Sequence, residues 1–470
     1  MQRRSFIQSF GLLTAGMAVS LKSKAFADLK HGSKISGTIT ADGKPLRGVV
    51  VSDGFSVVAT DSKGKYIIEL TDQSEFITLS TPSGYEFAID NRNLARQYEN
   101  LGAKNEYHFK LKKLKRDDSK HHFIIWADPQ VKTKNDVKQM LDTSVPDVIS
   151  LVKNLGKDPL VHGITVGDIV WDNHKLIPDY LEAVDRMGIP FFQALGNHDM
   201  DYRQGGDETS DRSFKLNYGP TYYSFNRGKV HYVVLDDVRY LGTERNYDGY
   251  IVEQQLNWLK KDLEYVPKDY LIVIGLHIPV HNSVKNRDEL YSILEGRKVH
   301  VMSGHTHYNN NYEKYGVYEH VHGTVCGAWW SGPLCGDGTP RGYGVYEANG
   351  NNLTWYYKST GLDADHQFSY DIQELTAQKR LIVNVWNWDK EWKVEWWGND
   401  KFMGEMEQTK GFDPLTVRLY KGDKLPETRS WVEPKRTDHL FMAHLDPEIT
   451  SLKIKVTDRF GKIYQRTHNL

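Results

Sequence analysis

Short polar clusters stand at the end of apolar runs at five separated places in this chain of 470 residues. The runs read FIIWA, HGITV, PFFQAL, LIVIGL and VHVMS, and each has the composition of a buried strand. The clusters that follow them are Asp128-Pro129-Gln130, Gly167-Asp168, Gly196-Asn197-His198-Asp199, His277 and Gly304-His305-Thr306-His307. Functional groups gather at the carboxyl ends of parallel strands. Five stretches that bring Asp, Gln, Asn and His to one such edge are typical of a metal site.

The candidate donors outnumber the ligands that one metal ion takes. They are Asp128, Gln130, Asp168, Asn197, His277, His305 and His307. A transition metal usually takes about four to six ligands, so this set favours two ions that share one carboxylate. Paired ions in hydrolases lie about 3.5–4 Å apart and clamp an in-line displacement at phosphorus. The pattern therefore predicts a two-metal site for phosphoester chemistry.

The order D-x-Q, G-D, G-N-H-D, H, G-H-T-H resembles the calcineurin-like metallophosphoesterase family over roughly residues 120–360. The resemblance implies two divalent metal ions. One ion would be held by Asp128, Gln130 and His307, the other by Asn197, His277 and His305, with Asp168 as the bridge. The resemblance also implies that His198, oriented by Asp199, lies near the leaving-group oxygen as a general acid or a charge stabiliser.

Gln130 departs from the family pattern, whose first motif is usually D-x-H. A glutamine carbonyl oxygen is a neutral, harder and weaker ligand than imidazole, so among Mn, Fe and Zn the sequence favours Mn²⁺ or Fe. In the implied mechanism a metal-activated hydroxide attacks phosphorus and His198 protonates the leaving group. This would be a metal-dependent hydrolase of phosphoric ester bonds, a phosphodiesterase or phosphatase.

A segment rich in glycine and tryptophan follows the last cluster and offers candidate substrate contacts. They are Trp329, Trp330 and Arg341. An indole face suits a sugar ring, a base or an acyl chain, and an arginine can pair with a second phosphate or a carboxylate. The alternative is that both indoles pack beneath the metal-binding loops. Cys326 and Cys335, the only cysteines, could close a short disulfide loop in an oxidising compartment.

The first residues have the pattern of an export signal. Arg3 and Arg4 precede an apolar run, and Ala25-Phe26-Ala27 is a small-x-small cleavage site. The Arg-Arg-x-Phe-Ile core resembles a twin-arginine signal. We therefore expect a periplasmic or secreted protein, cleaved after Ala27, and no other run approaches the length of a transmembrane helix.

Composition shifts divide the chain into a signal peptide and three domains. Residues 1–27 are the signal. Residues 31–113 predict an N-terminal β-sandwich that resembles carboxypeptidase-regulatory or transthyretin-like modules, and residues 370–470 predict a C-terminal β-sandwich. Residues 121–368, where strands alternate with helical stretches, predict the phosphoesterase domain. The predicted fold is α/β, a two-sheet βαβ sandwich flanked by two small all-β sandwich domains.

The balance of charged residues bears on which classes of molecule this protein could bind. The chain has 60 Lys and Arg against 61 Asp and Glu, so no basic field predicts a nucleic-acid polymer as partner. We expect a phosphodiester or phosphomonoester of a sugar, lipid head group or nucleotide. The alternatives are a nucleotide or sugar-nucleotide pyrophosphatase, and an inert glycan-binding surface protein. Tryptophans of the terminal β domain, Trp386 to Trp397, could contact a glycan, although core packing of alternating aromatic residues is the more common explanation.

Overall fold

The structure, a computed structural model, describes residues 32–376 and 378–470. The predicted signal peptide, residues 1–27, lies outside the described residues. Within these two ranges no helix combines the length and the apolarity that crossing a bilayer requires. The fold is α/β, as the sequence predicts, with a mixed core that is flanked on both sides by β-rich regions.

The N-terminal region is built from short strands, most of which run antiparallel to their neighbours. Its strands are β1 Lys34–Ala41, β2 Lys44–Pro45, β3 Val50–Ser52, β4 Val57–Ala59, β5 Lys65–Glu69, β6 Phe76–Ser80, β7 Tyr98–Asn100 and β8 Phe109–Leu111. One sheet has the order β2-β1-β5, with β8 parallel to β1, and the other has the order β4-β3-β6-β7. In β5, Tyr66 and Ile68 are buried between exposed neighbours, which is the pattern of a half-buried strand.

The core region alternates strands with helices. Its strands are β9 Lys120–Trp126, β10 Val161–Val166, β11 Phe191–Ala194, β12 Tyr223–Arg227, β13 Val230–Val234, β14 Val238–Tyr240, β15 Tyr247–Gly249, β16 Leu271–Gly275, β17 Lys298–Ser303, β18 Asn310–Lys314, β19 Val317–Val321, β20 Gly342–Asn349 and β21 Asn352–Ser359. Its α-helices are α1 Lys134–Gln139, α2 Val145–Asn154, α3 Ile177–Met187, α4 Arg212–Tyr218, α5 Glu253–Glu264, α6 Val280–Ser283 and α7 Arg287–Leu294. A π-helical segment, Met140–Ser144, joins α1 to α2, and a 3₁₀ turn spans Asn197–Asp199.

Two sheets of this region face each other across an apolar layer. One has the order β11-β10-β9-β20-β21 and the other the order β12-β13-β16-β17-β19-β18. Strands β9, β10 and β11 run parallel, and so do β13, β16, β17 and β19. Ile125 and Ile164 from the first sheet pack with Val273 and Met302 from the second. Burial of these apolar side chains stabilises the packing of one sheet on the other.

The C-terminal region is antiparallel. It contains β22 Ser369–Glu374, β23 Lys379–Asn384, β24 Lys393–Gly398, β25 Lys401–Glu405, β26 Glu407–Phe412, α8 Pro414–Lys421, β27 Arg436–Leu445, β28 Ser451–Thr457 and β29 Ile463–Asn469. Its sheets have the orders β22-β23-β27-β26 and β25-β24-β28-β29. Trp386, Trp392 and Trp396 are buried in its core, so these three indoles offer no face to a glycan. The glycan platform considered from sequence is therefore not supported.

Candidate active site

The candidate ligands lie at one edge of the paired sheets, where the parallel strands end. Asp128, Asp168 and Asn197 follow the adjacent strands β9, β10 and β11. His277 follows β16, and the segment with His305 and His307 follows the neighbouring β17. Because parallel strands deliver their carboxyl ends to the same side, five distant segments of sequence meet here.

Contacts divide the seven side chains into two groups. In one group His277 Nε2 lies 3.0 Å from Asn197 Oδ1 and 3.1 Å from His305 Nδ1. In the other group His307 Nε2 lies 3.4 Å from Asp128 Oδ1.

Asp168 touches both groups. One carboxylate oxygen lies 3.3 Å from His277 Nε2, and the other accepts a 2.8 Å hydrogen bond from Gln130 Nε2. The potential ligand atoms of Asp168, His277 and His305 all lie within 4.8 Å of one another. The geometry is that of two neighbouring donor sets with a shared carboxylate between them.

The loops that carry the ligands bend sharply and approach one another closely. Asp128, Gln130, Asp168, His305 and His307 have φ between 42° and 68°, the left-handed region that most residues avoid. Two glycines permit the close approach. A Cβ on Gly196 would stand 2.0 Å from the Asp168 nitrogen, and one on Gly304 would stand 2.5 Å from Asp128 Oδ2.

Hydrogen bonds from outside the donor set fix the ligand orientations. Val166 O lies 2.9 Å from His277 Nδ1, which leaves Nε2 to face the cluster. The Asp237 carboxylate accepts the backbone N–H groups of His277 and Ile278. Such partners set the tautomer and direction of a metal-binding histidine.

Two buried atoms of the candidate ligands lack any hydrogen-bond partner among the described residues. Gln130 Oε1 and His307 Nδ1 are buried in the cluster, and no described group bonds to either atom. A buried polar atom without a partner costs about 1–3 kcal/mol. A carbonyl oxygen and a ring nitrogen are both metal-ligating atoms, so the donor set fits the divalent ions that the sequence predicts.

The buried carboxylates of the cluster stabilise positive charge on the groups next to them. Burial lowers the pKa of His277, but the neighbouring Asp168 carboxylate outweighs it and raises that pKa to about 10. Burial opposes ionisation of Asp168, yet the charges of His277 and His198 lower its pKa. Burial, together with the charge of His277, lowers the pKa of His305 to about 4. The carboxylates therefore create a field that attracts a cation.

His198 lies at the rim of the cluster and is oriented by Asp172, not by Asp199. Its Nδ1 lies 3.0 Å from Asp172 Oδ1. The expectation about Asp199 is corrected, because that buried carboxylate accepts the backbone N–H groups of Gly196, Ile169 and Val170 and so holds the loops together. Burial lowers the pKa of His198, but Asp168 and Asp172 raise it.

Arg245 is a neighbour of His198 that the sequence did not reveal. It forms an ion pair with Asp172, and its Nη2 lies 3.2 Å from His198 Nδ1. When Nδ1 carries a proton it donates to Asp172, and Arg245 then bonds to the carboxylate alone. Arg245 stands 47 residues from His198, and no motif surrounds it that could have marked its place.

The predicted substrate contacts have different environments. Trp329 is half-buried and stacks on the His307 ring, with centroids 4.3 Å apart. Trp330 is buried, and its indole N–H donates to Pro129 O at 2.8 Å, so it supports the Asp128–Gln130 loop from beneath. This corrects the expectation that Trp330 contacts substrate.

The structure does not bring Arg341 to the donor cluster. Its described hydrogen bonds are backbone bonds to Pro333 and Thr360, and the guanidinium has no described bond to a ligand residue. Burial lowers its pKa. Cys326 and Cys335 are buried free thiols rather than a disulfide, and burial raises the pKa of Cys335 to about 12.

Sequence models of one family match nearly the whole described chain. The model for the calcineurin-like phosphoesterase matches residues 106–309, that for its N-terminal part matches 33–114, and that for its C-terminal part matches 319–464. The chain belongs to the calcineurin-like phosphoesterase family. It is therefore a metal-dependent hydrolase of phosphoric ester bonds.

Solved structures related to this phosphoesterase share little sequence with it. A dimetal phosphatase from Danio rerio is 15% identical over 51% of this chain and 97% of its own, with a TM-score of 0.39. The purple acid phosphatase PPD1 from yellow lupin (Lupinus luteus) is 13% identical over 67% of each chain, with a TM-score of 0.38. The phosphopantetheinyl hydrolase from Mycobacterium tuberculosis is 11% identical over 44% of this chain and 91% of its own, with a TM-score of 0.28. A search of curated proteins finds no match.

Proposed function

We propose that this phosphoesterase binds two divalent metal ions and cleaves a phosphodiester or phosphomonoester of a small molecule. The observation that carries the proposal is the meeting of seven donors at five strand ends, with Gln130 Oε1 and His307 Nδ1 buried and unpartnered. Asp128, Gln130 and His307 would hold one ion, Asn197, His277 and His305 the other, and Asp168 would serve both. Bound ions would polarise the phosphoryl group and lower the pKa of a coordinated water.

His198 is the candidate proton donor to the leaving oxygen. Asp172 lies at Nδ1, so the atom left to carry the transferred proton is Nε2. Asp172 is a positioning residue because it fixes the ring without reaching the reacting atoms. Arg245 adds a positive charge beside His198, which would stabilise negative charge that develops on a leaving oxygen there. Trp329, stacked on His307, would form one wall beside the phosphoryl group.

Metal content and ester cleavage, measured on the same preparation, test the proposal. The substrates are bis-p-nitrophenyl phosphate and p-nitrophenyl phosphate, with Mn²⁺, Fe²⁺, Zn²⁺ or no metal added. We expect about two ions per chain with cleavage of at least one ester, and greater activity with Mn²⁺ or Fe²⁺ than with Zn²⁺ because Gln130 supplies oxygen. Metal binding without cleavage of any phosphoester would contradict the catalytic assignment.

We also propose that the protein is exported by way of residues 1–27. Support comes from the paired Arg3 and Arg4 ahead of the apolar run and from Ala25-Phe26-Ala27. Cell fractionation of the full chain and of a variant with Arg3→Lys and Arg4→Lys tests this. Export of the wild type that the double substitution abolishes is the expected result, whereas equal export of both proteins would contradict the twin-arginine route.

A further inference from the structure

Three indoles gather beside the metal-binding edge, and one of them comes from the C-terminal region. Trp329 lies 4.7 Å from Trp431 and 6.3 Å from Trp171, and Trp171 lies 5.9 Å from Trp431, all between ring centroids. Trp171 also lies 5.7 Å from the His198 ring. The indole cluster, meaning Trp171, Trp329 and Trp431, thus touches His307 on one side and His198 on the other.

A buried ion pair fixes the segment that carries Trp431. Arg429 makes a bidentate pair with Asp136, at 3.0 and 2.5 Å. Arg429 also donates to the Trp329 carbonyl. Asp136 in turn accepts the backbone N–H groups of Lys132 and Thr133, just beyond the ligand Gln130. The position of Trp431 is therefore tied to the same loop that supplies a ligand.

The indole cluster leaves one aromatic surface open to solvent. The Trp431 side chain is 53% exposed. In contrast, the His307 ring stacks on Trp329, and two cationic side chains lie over the ring of Trp171. Lys132 Nζ lies 4.1 Å from the Trp171 ring centroid, and Arg429 Cζ lies 5.5 Å from it. Trp171 joins this open surface to the candidate acid, because it lies 5.9 Å from Trp431 and 5.7 Å from the His198 ring.

Charge and hydrogen bonding around the cluster favour an aromatic ring over a sugar. The nearby carboxylates Asp136 and Asp172 are already paired with Arg429 and Arg245. Neither of these two carboxylates is therefore free to accept from a sugar hydroxyl, whereas an aromatic ring needs no acceptor. Lys132 forms no ion pair among the described residues, so its charge suits an anionic substrate.

We propose that Trp431, supported by Trp329 and Trp171, forms a subsite for the leaving group, and that this group carries a planar aromatic ring. The inference rests on the proposed function and names its substrate class, phosphoesters whose leaving alcohol is a phenol or carries an aromatic ring, as a nucleoside does. The C-terminal region thereby determines specificity, although it contributes none of the proposed metal ligands.

The test compares esters with and without a ring in Trp431→Ala, Trp431→Phe and the control Phe402→Ala. Phe402 is 52% exposed in the same region and touches no site residue, so it matches Trp431 in exposure. Because Trp431→Ala would remove the stacking contact with the ring, we expect KM for phenyl phosphate to rise about tenfold in this variant. We expect KM for glycerol 3-phosphate to stay within twofold, Trp431→Phe to recover most of the loss, and Phe402→Ala to match wild type.

An equal rise in KM for both esters, or none for phenyl phosphate, would overturn the subsite. Calorimetric titration of the metal-loaded proteins with phenylphosphonate and methylphosphonate gives a readout independent of turnover. Loss of the preference for phenylphosphonate in Trp431→Ala supports the subsite, and an unchanged preference overturns it. Failure of the wild type to cleave any ester would count against the proposed function, while the phosphonate titration would still decide the subsite.

Discussion

Asp168 is the side chain on which both halves of the site depend, because it contacts Gln130 in one group and His277 in the other. In Asp168→Asn the shared negative charge is lost. We expect metal content to fall and kcat to drop more than the 10–100-fold typical of residues outside the ligand set. Metal analysis and steady-state kinetics check this, with the exposed Asp363→Asn as the control. Near-normal turnover would refute the bridging role.

His198 and Asp172 should act together on the leaving group. We expect His198→Ala to lower kcat by about 10²–10⁴-fold, the range of general acid–base catalysis, with metal content unchanged. The loss should be greatest for esters with poor leaving groups, because these most need a proton. Asp172→Asn should show the same dependence on the leaving group but a smaller loss. A uniform loss across a series of aryl and alkyl esters would contradict the proton-donor role.

At the scale of single residues, the sequence identifies the candidate metal ligands more readily than it identifies the residues that orient His198 and the ligand loops. Asp128, Asp168 and His277 are recognisable because each follows an apolar run and has a carboxylate or imidazole side chain that can bind a metal ion. Arg245 and Asp172 meet His198 only through the fold, and neither has a local signal. Asp199 is adjacent to His198 in sequence, yet its side chain turns inward to backbone N–H groups.

At the scale of elements, the turns after β10, β11 and β17 depend on glycines that admit no Cβ. In Gly304→Ala the new methyl group would stand 2.5 Å from Asp128 Oδ2. We expect this variant to lose metal and activity and to unfold at lower denaturant, because the ligand loop must shift. Gly102→Ala, where nothing lies within 4 Å of an added Cβ, should match wild type in both respects. Retained metal affinity in Gly304→Ala would show that the loop tolerates displacement.

Elements with strong periodicity were predictable, and long-range pairings were not. Leu256, Leu259 and Leu263 stand at helical spacing in the sequence, and all three are buried on one face of α5, Glu253–Glu264. The five strand ends followed from apolar runs alone. The ion pair between Arg429 and Asp136 joins residues 293 positions apart. Such a contact depends on how whole domains pack, and sequence periodicity carries no information about it.

At the scale of the whole molecule, buried neutral histidines should limit stability in acid. His300 Nδ1 lies 2.9 Å from His320 Nε2. Burial lowers the pKa of His300 to about 3, and burial also lowers that of His320. An unfolded histidine has a pKa near 6.5, so as pH falls below that value the unfolded chain binds more protons than the folded chain. These two histidines therefore do not reduce the free energy of unfolding above about pH 6.5, and they reduce it progressively as the pH falls below that value.

Denaturant unfolding between pH 7.5 and pH 5 checks this expectation. Each such histidine contributes a slope of up to about 1.4 kcal/mol per pH unit. His300→Gln should reduce the slope, because a neutral amide takes up no proton, and the exposed His108→Gln should leave it unchanged. An identical slope in wild type and His300→Gln would mean that this pair does not govern the acid sensitivity.

The left-handed backbone at Asp128, Asp168 and His305 also constrains how this protein can evolve. Asn, Asp and His enter that region several-fold more readily than other residues with a side chain. The residue types that suit a metal are thus also the types that suit the bend. A descendant that abandons catalysis while keeping its architecture would be expected to carry Asn or Gly at these positions rather than Ala or Val. Asn or Gly at these positions would then distinguish an inactive member that has kept the fold from one that has kept its metal site.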